Sequence, residues 1–243
     1  MANVENIPKR RRKGEPDPSL SREAIVAAAL ALIDEEGLEA FSLRTLASRL
    51  GVYPTAIYWY VQNRNDLLAQ VVTHILAEDA PTKKRRSWQH NLRDIFRRFR
   101  AAVRKHPNAA PLIGTQIVSN TNMDADFVEN ILATLVRSGL SEEALVRTYN
   151  SVVAALVGFV AQEFAPMPLE DRTQWQLAVQ QRMLALDRSR YPALSEHLPL
   201  LSNRAFILRW QNGVEAPLDD SFDWHIDLMI AGIETLSQRP NGN

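Results

Sequence analysis

Apolar residues near the N-terminus of this chain recur at the three- and four-residue intervals of an amphipathic helix. The first such stripe consists of Ile25, Ala28, Ala29, Leu32 and Ile33. Ser21 is a natural N-cap for this helix, and Gly37 is a suitable stop because glycine tolerates the left-handed backbone found at helix ends. The pattern therefore predicts that ordered structure begins near Ser21 with a helix.

Three more helices are predicted before residue 81. The second spans 43–50 with Ser42 as its cap, and the third spans 54–61, where Pro54 in the first turn needs no backbone donor. The fourth spans 64–80 and ends before Pro81. Alternation of apolar and polar residues, the signature of a half-buried strand, does not occur in this part of the sequence.

Helical patterns continue to the end of the chain, separated by proline, glycine and asparagine. The predicted helices are 87–105, 109–120, 124–138, 141–165, 172–188, 203–211 and 221–238, and a proline-interrupted stretch through Pro199 precedes 203. The sequence is thus predicted to be all-α, with an N-terminal three-helix module followed by a longer helical bundle.

Composition narrows the class of protein. The 243 residues contain no cysteine, which excludes disulfides, thiolate metal sites and a cysteine nucleophile. The basic residues near the start are followed by no apolar run, and no uninterrupted apolar segment has the length of a membrane span. A folded cytoplasmic protein without a membrane partner is therefore expected.

The net charge of zero, from 28 Lys and Arg against 28 Asp and Glu, conceals an uneven distribution. Residues 82–106 carry ten basic side chains against one acidic, whereas 107–243 carry nine against sixteen. Two basic runs stand out, at 9–13 and 83–86, and each fits either a nucleic-acid contact or a solvated segment. A zero total therefore does not exclude a nucleic-acid partner.

Three residues predict that the second and third helices form a helix-turn-helix. Ala47 is small enough for a close helix crossing, Gly51 permits a positive φ in the turn, and Ile57 is an apolar plug from the third helix. Ordinary helix packing can produce the same spacing, so the flanking residues decide between the two interpretations.

The flanking residues resemble the tetracycline-repressor-type (TetR) family of transcriptional regulators over residues 21–68. The most distinctive segments are 37–44 (GLEAFSLR), 50–52 (LGV), 58–61 (YWYV) and 63–68 (NRNDLL). A weaker similarity over 87–165 includes Trp88-Gln89, His106-Pro107 and the long apolar helix. The resemblance implies a ligand-responsive regulator, expected to be a repressor, with a flexible basic arm (1–18), a helix-turn-helix DNA-binding domain (19–66) and a helical ligand-binding and dimerisation domain (67–243).

The resemblance also suggests which residues touch double-stranded DNA. A recognition helix enters the major groove with its N-terminal residues toward the base edges, which here are Pro54, Thr55 and Ala56. The aromatic residues that follow can either bind phosphates or pack into the core, and Arg44 and Arg64 are placed to neutralise phosphates. The predicted DNA contacts are Ser42, Arg44, Pro54, Thr55, Ala56, Tyr58, Trp59, Tyr60 and Arg64, with Arg49 as a lesser candidate.

The two basic runs receive different interpretations. The run at 9–13 lies on a short tether before the first helix and can reach a minor groove or flanking phosphates, with a solvated tail as the alternative. The run at 83–86 follows a helix that carries it about 25 Å from Arg64, so it is expected to lie outside the DNA interface. The next helix is expected to display solvated arginines on its outer face, namely Arg93, Arg97, Arg98, Arg100 and Arg104.

The predicted helix at 141–165 is apolar nearly all round and must be covered on more than one side. By the resemblance, this helix and the last one pair with their mates in a four-helix homodimer interface. A two-fold dimer would place two recognition helices on a near-palindromic operator. A helix fully buried within a monomer is the alternative.

The resemblance further implies a pocket inside each regulatory domain for a small-molecule effector that lowers the affinity for DNA. Helical register suggests as lining residues Ile95, Phe99, Ile113, Gln116, Ile117, Tyr149 and Val153, and plain core packing is the alternative for each. Tetracycline-binding members of the family chelate a magnesium complex through histidines, but 77–80 and Ile113 provide none. A largely apolar or aromatic effector is therefore expected in place of tetracycline.

Enzyme chemistry has little support in the sequence. Among five scattered histidines, only His74 has an acidic residue at the i, i+4 spacing of a shared metal site, and an exposed ion pair with Glu78 also explains that spacing. Nucleophile-elbow, phosphate-cradling and helical zinc-protease motifs are missing. No catalytic residue, metal or cofactor is expected. The alternatives to a regulator are a helical ligand-binding or metal-dependent enzyme and a helical interaction module.

Overall fold

The computed structural model describes residues 20–77, 87–118, 125–168 and 171–238. These ranges contain helices, turns and irregular segments but no strand, which confirms the predicted all-α class. The helices are α1 (Arg22–Glu36), α2 (Leu43–Leu50), α3 (Pro54–Ile57), α4 (Arg64–Ala77), α5 (Trp88–Lys105), α6 (Ala110–Val118), α7 (Ala125–Val136), α8 (Glu142–Glu163), α9 (Arg172–Leu184), α10 (Pro192–Leu201) and α11 (Asp219–Ser237), and a 3-10 turn (Pro107–Ala109) precedes α6.

Local capping chemistry explains where several helices begin and end. The Ser21 hydroxyl accepts a hydrogen bond from the Ala24 N–H at 3.1 Å, and Gly37 ends α1 with a φ of +82°. Ser87 and Ser141 cap α5 and α8 in the same way. Each of these side chains satisfies a backbone donor that the first turn of a helix leaves unpaired.

Helices α1–α3 form an N-terminal unit, here called the head, and α5–α11 form the body. Helix α4 connects them, because it packs against α1 on one side and against α5 and α6 on the other. The interior of the head is aliphatic and includes the fully buried Ile25, Ile33 and Leu46. In the body, the rings of Phe159 and Phe222 pack edge to face with centroids 5.1 Å apart, joining α8 to α11.

Helix α3 is shorter than predicted, since it ends at Ile57 instead of continuing to residue 61. The N–H groups of Tyr60 and Val61 both donate to the Ile57 carbonyl, which closes the chain into a single turn. This turn still buries Val61 together with Ile57.

The predicted helix at 203–211 is wrong, because this segment forms turns between α10 and α11. The Asn203 side-chain oxygen accepts hydrogen bonds from the N–H groups of Trp210 and Gln211, and Asn203 and Ile207 have positive φ angles. Asparagine competes with helices by bonding nearby backbone in this way. The apolar spacing alone did not reveal that competition.

Conversely, the proline-interrupted stretch contains a helix, α10, which has Pro192 in its first turn and Pro199 near its end. A proline in the last turn removes only one hydrogen bond, and the Ser202 N–H still donates to the Leu198 carbonyl at 2.9 Å. Helix α10 has no buried residue, so it lies on the outside of the body. The predicted helix ends at 80, 120 and 124 and both basic runs lie outside the described residues.

Candidate DNA interface and its connection to the helical body

The crossing of α2 and α3 has the geometry that the sequence predicted. Ala47 is 1% exposed, and Gly51 has a φ of +67° in the turn that follows α2. The Val52 N–H donates to the Ala47 carbonyl at 3.0 Å, which fixes the turn against the end of α2. Ile57 is fully buried and holds α3 on the head. The predicted roles of Ala47, Gly51 and Ile57 in the turn are confirmed.

Ser42 begins α2 through a reciprocal cap. Its hydroxyl accepts from the Thr45 N–H at 3.0 Å, and the Thr45 hydroxyl accepts from the Ser42 N–H at 2.9 Å. This cap fixes the first turn of α2, from which the Arg44 side chain projects into solvent. The predicted role of Ser42 as the cap of α2 is confirmed, while its contact with DNA stays a prediction.

Three aromatic side chains are exposed in and next to α3. Trp59 and Tyr58 are 63% and 54% exposed, whereas Tyr60 is half-buried and packs against the core. The sequence did not indicate Tyr53, which is 77% exposed directly before α3. Tyr53 lies outside the predicted helix and was therefore not among the predicted DNA contacts. The signal that could have identified it is a large aromatic side chain directly before a recognition helix.

The first turn of α3 divides its predicted contacts between solvent and core. Pro54 and Thr55 are exposed. Ala56, which was predicted to reach a base edge, is half-buried and packs against the core. Of the three residues predicted to face base edges, only Pro54 and Thr55 are therefore exposed.

The candidate arginines differ in their surroundings. Arg44 and Arg64 are exposed, and no acidic partner is found for either within the described ranges. The Arg64 guanidinium lies 5.5 Å from the centre of the Phe41 ring, which orients it at the start of α4. Arg49 instead donates two hydrogen bonds to Glu35, at 2.6 and 2.5 Å, and these lower the pKa of that carboxyl. Arg49 is thus engaged within the head.

The head is attached to the body by a polar contact that was not predicted. Asp34, in the last turn of α1, lies 2.7 Å from the His106 Nδ1 through its carboxylate. Its backbone carbonyl accepts a hydrogen bond from the Asn108 side chain at 2.8 Å. The turn between α5 and α6 therefore holds the end of α1 by two bonds, while α6 packs against α4.

The arginines of α5 were predicted to be solvated, and Arg97 and Arg104 are indeed exposed, whereas Arg93 and Arg98 are half-buried and Arg100 is buried. Arg93, Arg97 and Arg100 pair with aspartates of α11, namely Asp227 at 2.5 Å, Asp223 at 2.9 Å and Asp219 at 2.7 Å. Arg104 lies 4.0 Å from Asp219, and Arg98 pairs with Asp94 of its own helix. We call the α5–α11 pairs the arginine–aspartate ladder. It holds the two helices antiparallel in one register.

Arg100 is the clearest departure from the prediction, because it is buried. Its guanidinium donates two hydrogen bonds to Glu163 of α8, at 2.7 and 2.6 Å, and Glu163 is fully buried. Glu163 also accepts from the Leu218 N–H at 2.9 Å, and a side chain at Gly213 would collide with it. Burial alone would lower the pKa of Arg100, but the bonds to Glu163 and Asp219 raise it. The Arg100 guanidinium therefore stays charged although it is buried.

The predicted effector-pocket residues lie in and around the core of the body. Ile95, Phe99 and Ile113 are buried, and Tyr149 and Val153 are half-buried against them. Burial raises the pKa of the Tyr149 hydroxyl. Gln116 is half-buried, and the side chain of Ile117 lies outside the description. Their role in effector binding stays a prediction.

A groove of about 360 Å³ lies on another face, between α8, α11 and the turn at Phe206. Its lining is Ala154, Ala155, Gly158, Phe159, Gln162, Phe206, Ser221, Trp224, His225 and Leu228. None of the seven predicted pocket residues lines this groove.

Helix α8 beside this groove is unusually apolar. By length and composition alone it could cross a membrane, with a mean hydropathy of 1.5 over 18 residues. Only 28% of that window is buried within one chain, so much of its apolar surface needs a further cover. This is the face on which the sequence predicted a second copy.

The described residues contain no group of three or more histidine, cysteine, aspartate or glutamate side chains placed to hold a metal ion. His74 is exposed on α4. Glu78, its predicted partner at the i, i+4 spacing, lies outside the described residues.

Comparisons with known proteins agree with this architecture. A family model described as "Bacterial regulatory proteins, tetR family" matches residues 25–71, and one described as "Tetracyclin repressor-like, C-terminal domain" matches residues 80–237. The transcriptional repressor DrrR1 of Streptomyces coeruleorubidus is 25% identical over 96% of this chain and 84% of its own. The class E tetracycline repressor of Escherichia coli is 32% identical over 63% of this chain and 72% of its own.

Among solved structures, the Streptomyces coelicolor TetR family protein ActR in complex with actinorhodin has the same fold. It superimposes with a TM-score of 0.67 at 20% identity and covers 89% of this chain and 96% of its own. The C-terminal family model alone spans more than half of this chain. The chain therefore belongs to the tetR family of bacterial regulatory proteins, and it is a ligand-responsive, dimeric DNA-binding transcriptional regulator rather than an enzyme.

Proposed function

We propose that this regulator is a cytoplasmic repressor, which binds a near-palindromic operator as a homodimer and leaves it when a small molecule binds the body. The observation that carries the proposal is the head itself, a helix-turn-helix whose recognition helix presents aromatic and polar side chains to solvent. Two similar proteins, DrrR1 and the class E tetracycline repressor, are repressors by name. The division into an arm (1–18), a DNA-binding domain (19–66) and a regulatory domain (67–243) belongs to this proposal.

Within the head, some side chains position the protein on the DNA backbone and others recognise the base sequence. Arg44 and Arg64 are exposed and unpaired with acids in the described ranges, so they neutralise phosphates on either side of the groove. Thr55 contacts a base edge, while Pro54 contributes shape. Tyr58 and Trp59 bind the backbone from the exposed end of the turn, and Ser42, Ala56 and Tyr60 line the edges of the same surface. The run at 9–13 reaches flanking phosphates or a minor groove.

The operator proposal is tested with the DNA upstream of the protein's own gene. Fluorescence anisotropy should show tighter binding to this DNA than to a duplex of scrambled sequence. Arg44 and Arg64 of both subunits give a log–log salt slope of about −3.6, which weakens binding on the order of a hundredfold between about 50 and about 200 mM salt. Equal affinity for the two duplexes at every salt concentration would show that the operator proposal is wrong.

A pair of substitutions separates phosphate contact from base contact. Arg44→Ala should weaken binding to operator and scrambled DNA by the same factor and reduce the salt slope, because a phosphate contact carries no sequence information. Thr55→Ala should change the preferred sequence instead, since it removes a hydroxyl and a methyl at the groove. Anisotropy titrations at several salt concentrations measure the first effect, and binding-site selection from randomised duplexes measures the second. Arg188→Ala, which replaces an exposed arginine after α9, is the matched control. An equal loss of selectivity in both variants contradicts this division.

The effector of this protein is proposed to be a small molecule with a large apolar or aromatic surface. The candidate lining, Ile95, Phe99, Ile113, Gln116, Ile117, Tyr149 and Val153, is mostly aliphatic and aromatic. The solved structure of the similar protein ActR holds actinorhodin. Ile113 offers no metal-binding group where the tetracycline-binding relatives are expected to have a histidine. Release of labelled operator by a panel of aromatic compounds, but not by magnesium–tetracycline, is the expected result.

A further inference from the structure

Large apolar side chains are concentrated on one small part of the head. Within residues 20–77, the large hydrophobic side chains that are exposed are Tyr53, Tyr58 and Trp59. All three lie in or next to α3, within seven consecutive positions. A cluster of exposed aromatics of this kind marks a surface that a partner covers. Tyr58 and Trp59 belong to the proposed backbone contacts, which leaves Tyr53 without a function.

Tyr53 is not needed by the fold in any way that the structure reveals. It is the residue before the first turn of α3, but its side chain makes no capping hydrogen bond. Only its backbone is used, since its carbonyl accepts from the Ala56 N–H at 2.9 Å. Its φ of −75° and ψ of 143° are ordinary extended values, and 77% of the residue is exposed. A truncated side chain at this position would leave the head intact.

Tyr53 adjoins the end of the recognition helix from which side chains reach base edges. The N-terminal end of a recognition helix faces the floor of the major groove. Pro54, which follows, restricts Tyr53 to extended backbone conformations, so the ring projects from the helix start in a limited set of directions. Ala56 packs against the core, so Thr55 is the other exposed side chain here that has a hydrogen-bonding group.

The chemistry of a phenol suits this position. Its hydroxyl can donate to the acceptors of guanine or thymine and can accept from the amino group of adenine or cytosine, while its ring can pack on a thymine methyl. We propose that Tyr53 contacts a base pair in the major groove of each operator half-site and is a determinant of sequence specificity. This inference rests on the proposed function, because it assigns one of the base contacts of that operator.

The chain contains a closely matched control, Tyr191. Tyr191 also precedes a proline at the start of a helix, α10, and its side chain also makes no capping hydrogen bond. It is 40% exposed and belongs to the body. A tyrosine-to-alanine or tyrosine-to-phenylalanine change can therefore be made at two exposed tyrosines that each precede a proline at the start of a helix, of which only Tyr53 adjoins the recognition helix.

The test compares Tyr53→Ala, Tyr53→Phe, Tyr191→Ala and Tyr191→Phe in the full chain. We expect Tyr53→Ala to weaken operator binding by about tenfold or more, the size of one base contact, to leave affinity for scrambled DNA within about twofold, and to leave the thermal midpoint unchanged. Selection from randomised duplexes should then lose its preference at one base pair in each half-site. If Tyr53→Phe also loses this base preference, the hydroxyl is the group that contacts the base. If Tyr53→Phe keeps the preference, the ring is. The Tyr191 variants should behave as the wild type.

Two results overturn the inference alone: a Tyr53→Ala protein with the selectivity of the wild type, or one that loses affinity for operator and scrambled DNA equally, as a phosphate contact does. A wild-type protein that prefers no sequence overturns the proposed operator as well, so the two failures are distinguishable.

Discussion

Replacement of Glu163 by alanine is expected to lower the free energy of unfolding by about 3–5 kcal/mol, the usual effect of removing one partner from a buried ion pair. Arg100, which is 9% exposed, would lose two of the hydrogen bonds of its guanidinium in a site with little access to water. The Leu218 N–H would lose its acceptor as well. Because Glu163 joins α5, α8 and the start of α11, this one change loosens three elements of the body.

Urea unfolding at a fixed protomer concentration measures this effect, since the stability of a dimer depends on concentration. Glu143→Ala is the matched control in the same helix: its ion pair with Arg147 is exposed, so less than about 1 kcal/mol is expected. The double variant Arg100→Met/Glu163→Met should be more stable than Glu163→Ala, because it removes both charges and keeps the volume. A Glu163→Ala protein as stable as the control would show that the buried pair contributes nothing.

Replacement of Ile57 by alanine is expected to destabilise the head by about 2–5 kcal/mol and to abolish selective DNA binding. Helix α3 has only four residues, its first residue has no side-chain cap, and Ile57 is its one buried member. A recognition helix this short is stable only through its contact with the head. Loss of that contact releases Pro54, Thr55 and the aromatic residues from the arrangement that we propose to fit the groove.

Binding-site selection and size-exclusion chromatography together test this prediction. The Ile57→Ala protein should elute as the wild-type dimer, since the body is unaffected, and should bind operator and scrambled DNA alike. Ile207→Ala makes the same chemical change at a position that is 96% exposed in the body, and it should alter neither measurement. Wild-type selectivity in Ile57→Ala would mean that α3 is held by other contacts.

The head could be predicted from the sequence in more detail than the body because its signals are local. Ser21, Ser42 and Gly51 act within a few residues of their own positions, so capping and turn chemistry were sufficient to place α1, α2 and the turn. Arg100, by contrast, binds Glu163 and Asp219, which lie 63 and 119 residues further along the chain. No local pattern distinguishes such an arginine from a solvated one, and its neighbours on α5 have the same spacing.

The remaining errors also have physical causes. At 203–211, side-chain bonds from Asn203 to the backbone outweighed the apolar periodicity. The candidate DNA contacts were predicted from residue types. The structure shows that Thr55 is exposed, that Ala56 is half-buried, and that Tyr53, which was not predicted, is exposed. Burial depends on how α3 ends, and that turn is closed by two hydrogen bonds to Ile57 that periodicity does not predict.

The arginine–aspartate ladder has a consequence for competition among DNA sites in the cell. Its arginines come from the most basic part of the sequence, yet each lies within ion-pair distance of an aspartate of α11. These ion pairs lower the net positive charge of this face and with it the attraction for random stretches of the genome, which outnumber any operator by about 10⁶–10⁹ to one. Fewer molecules are then held at irrelevant sites, and a small cellular population of the regulator suffices to keep its operator occupied.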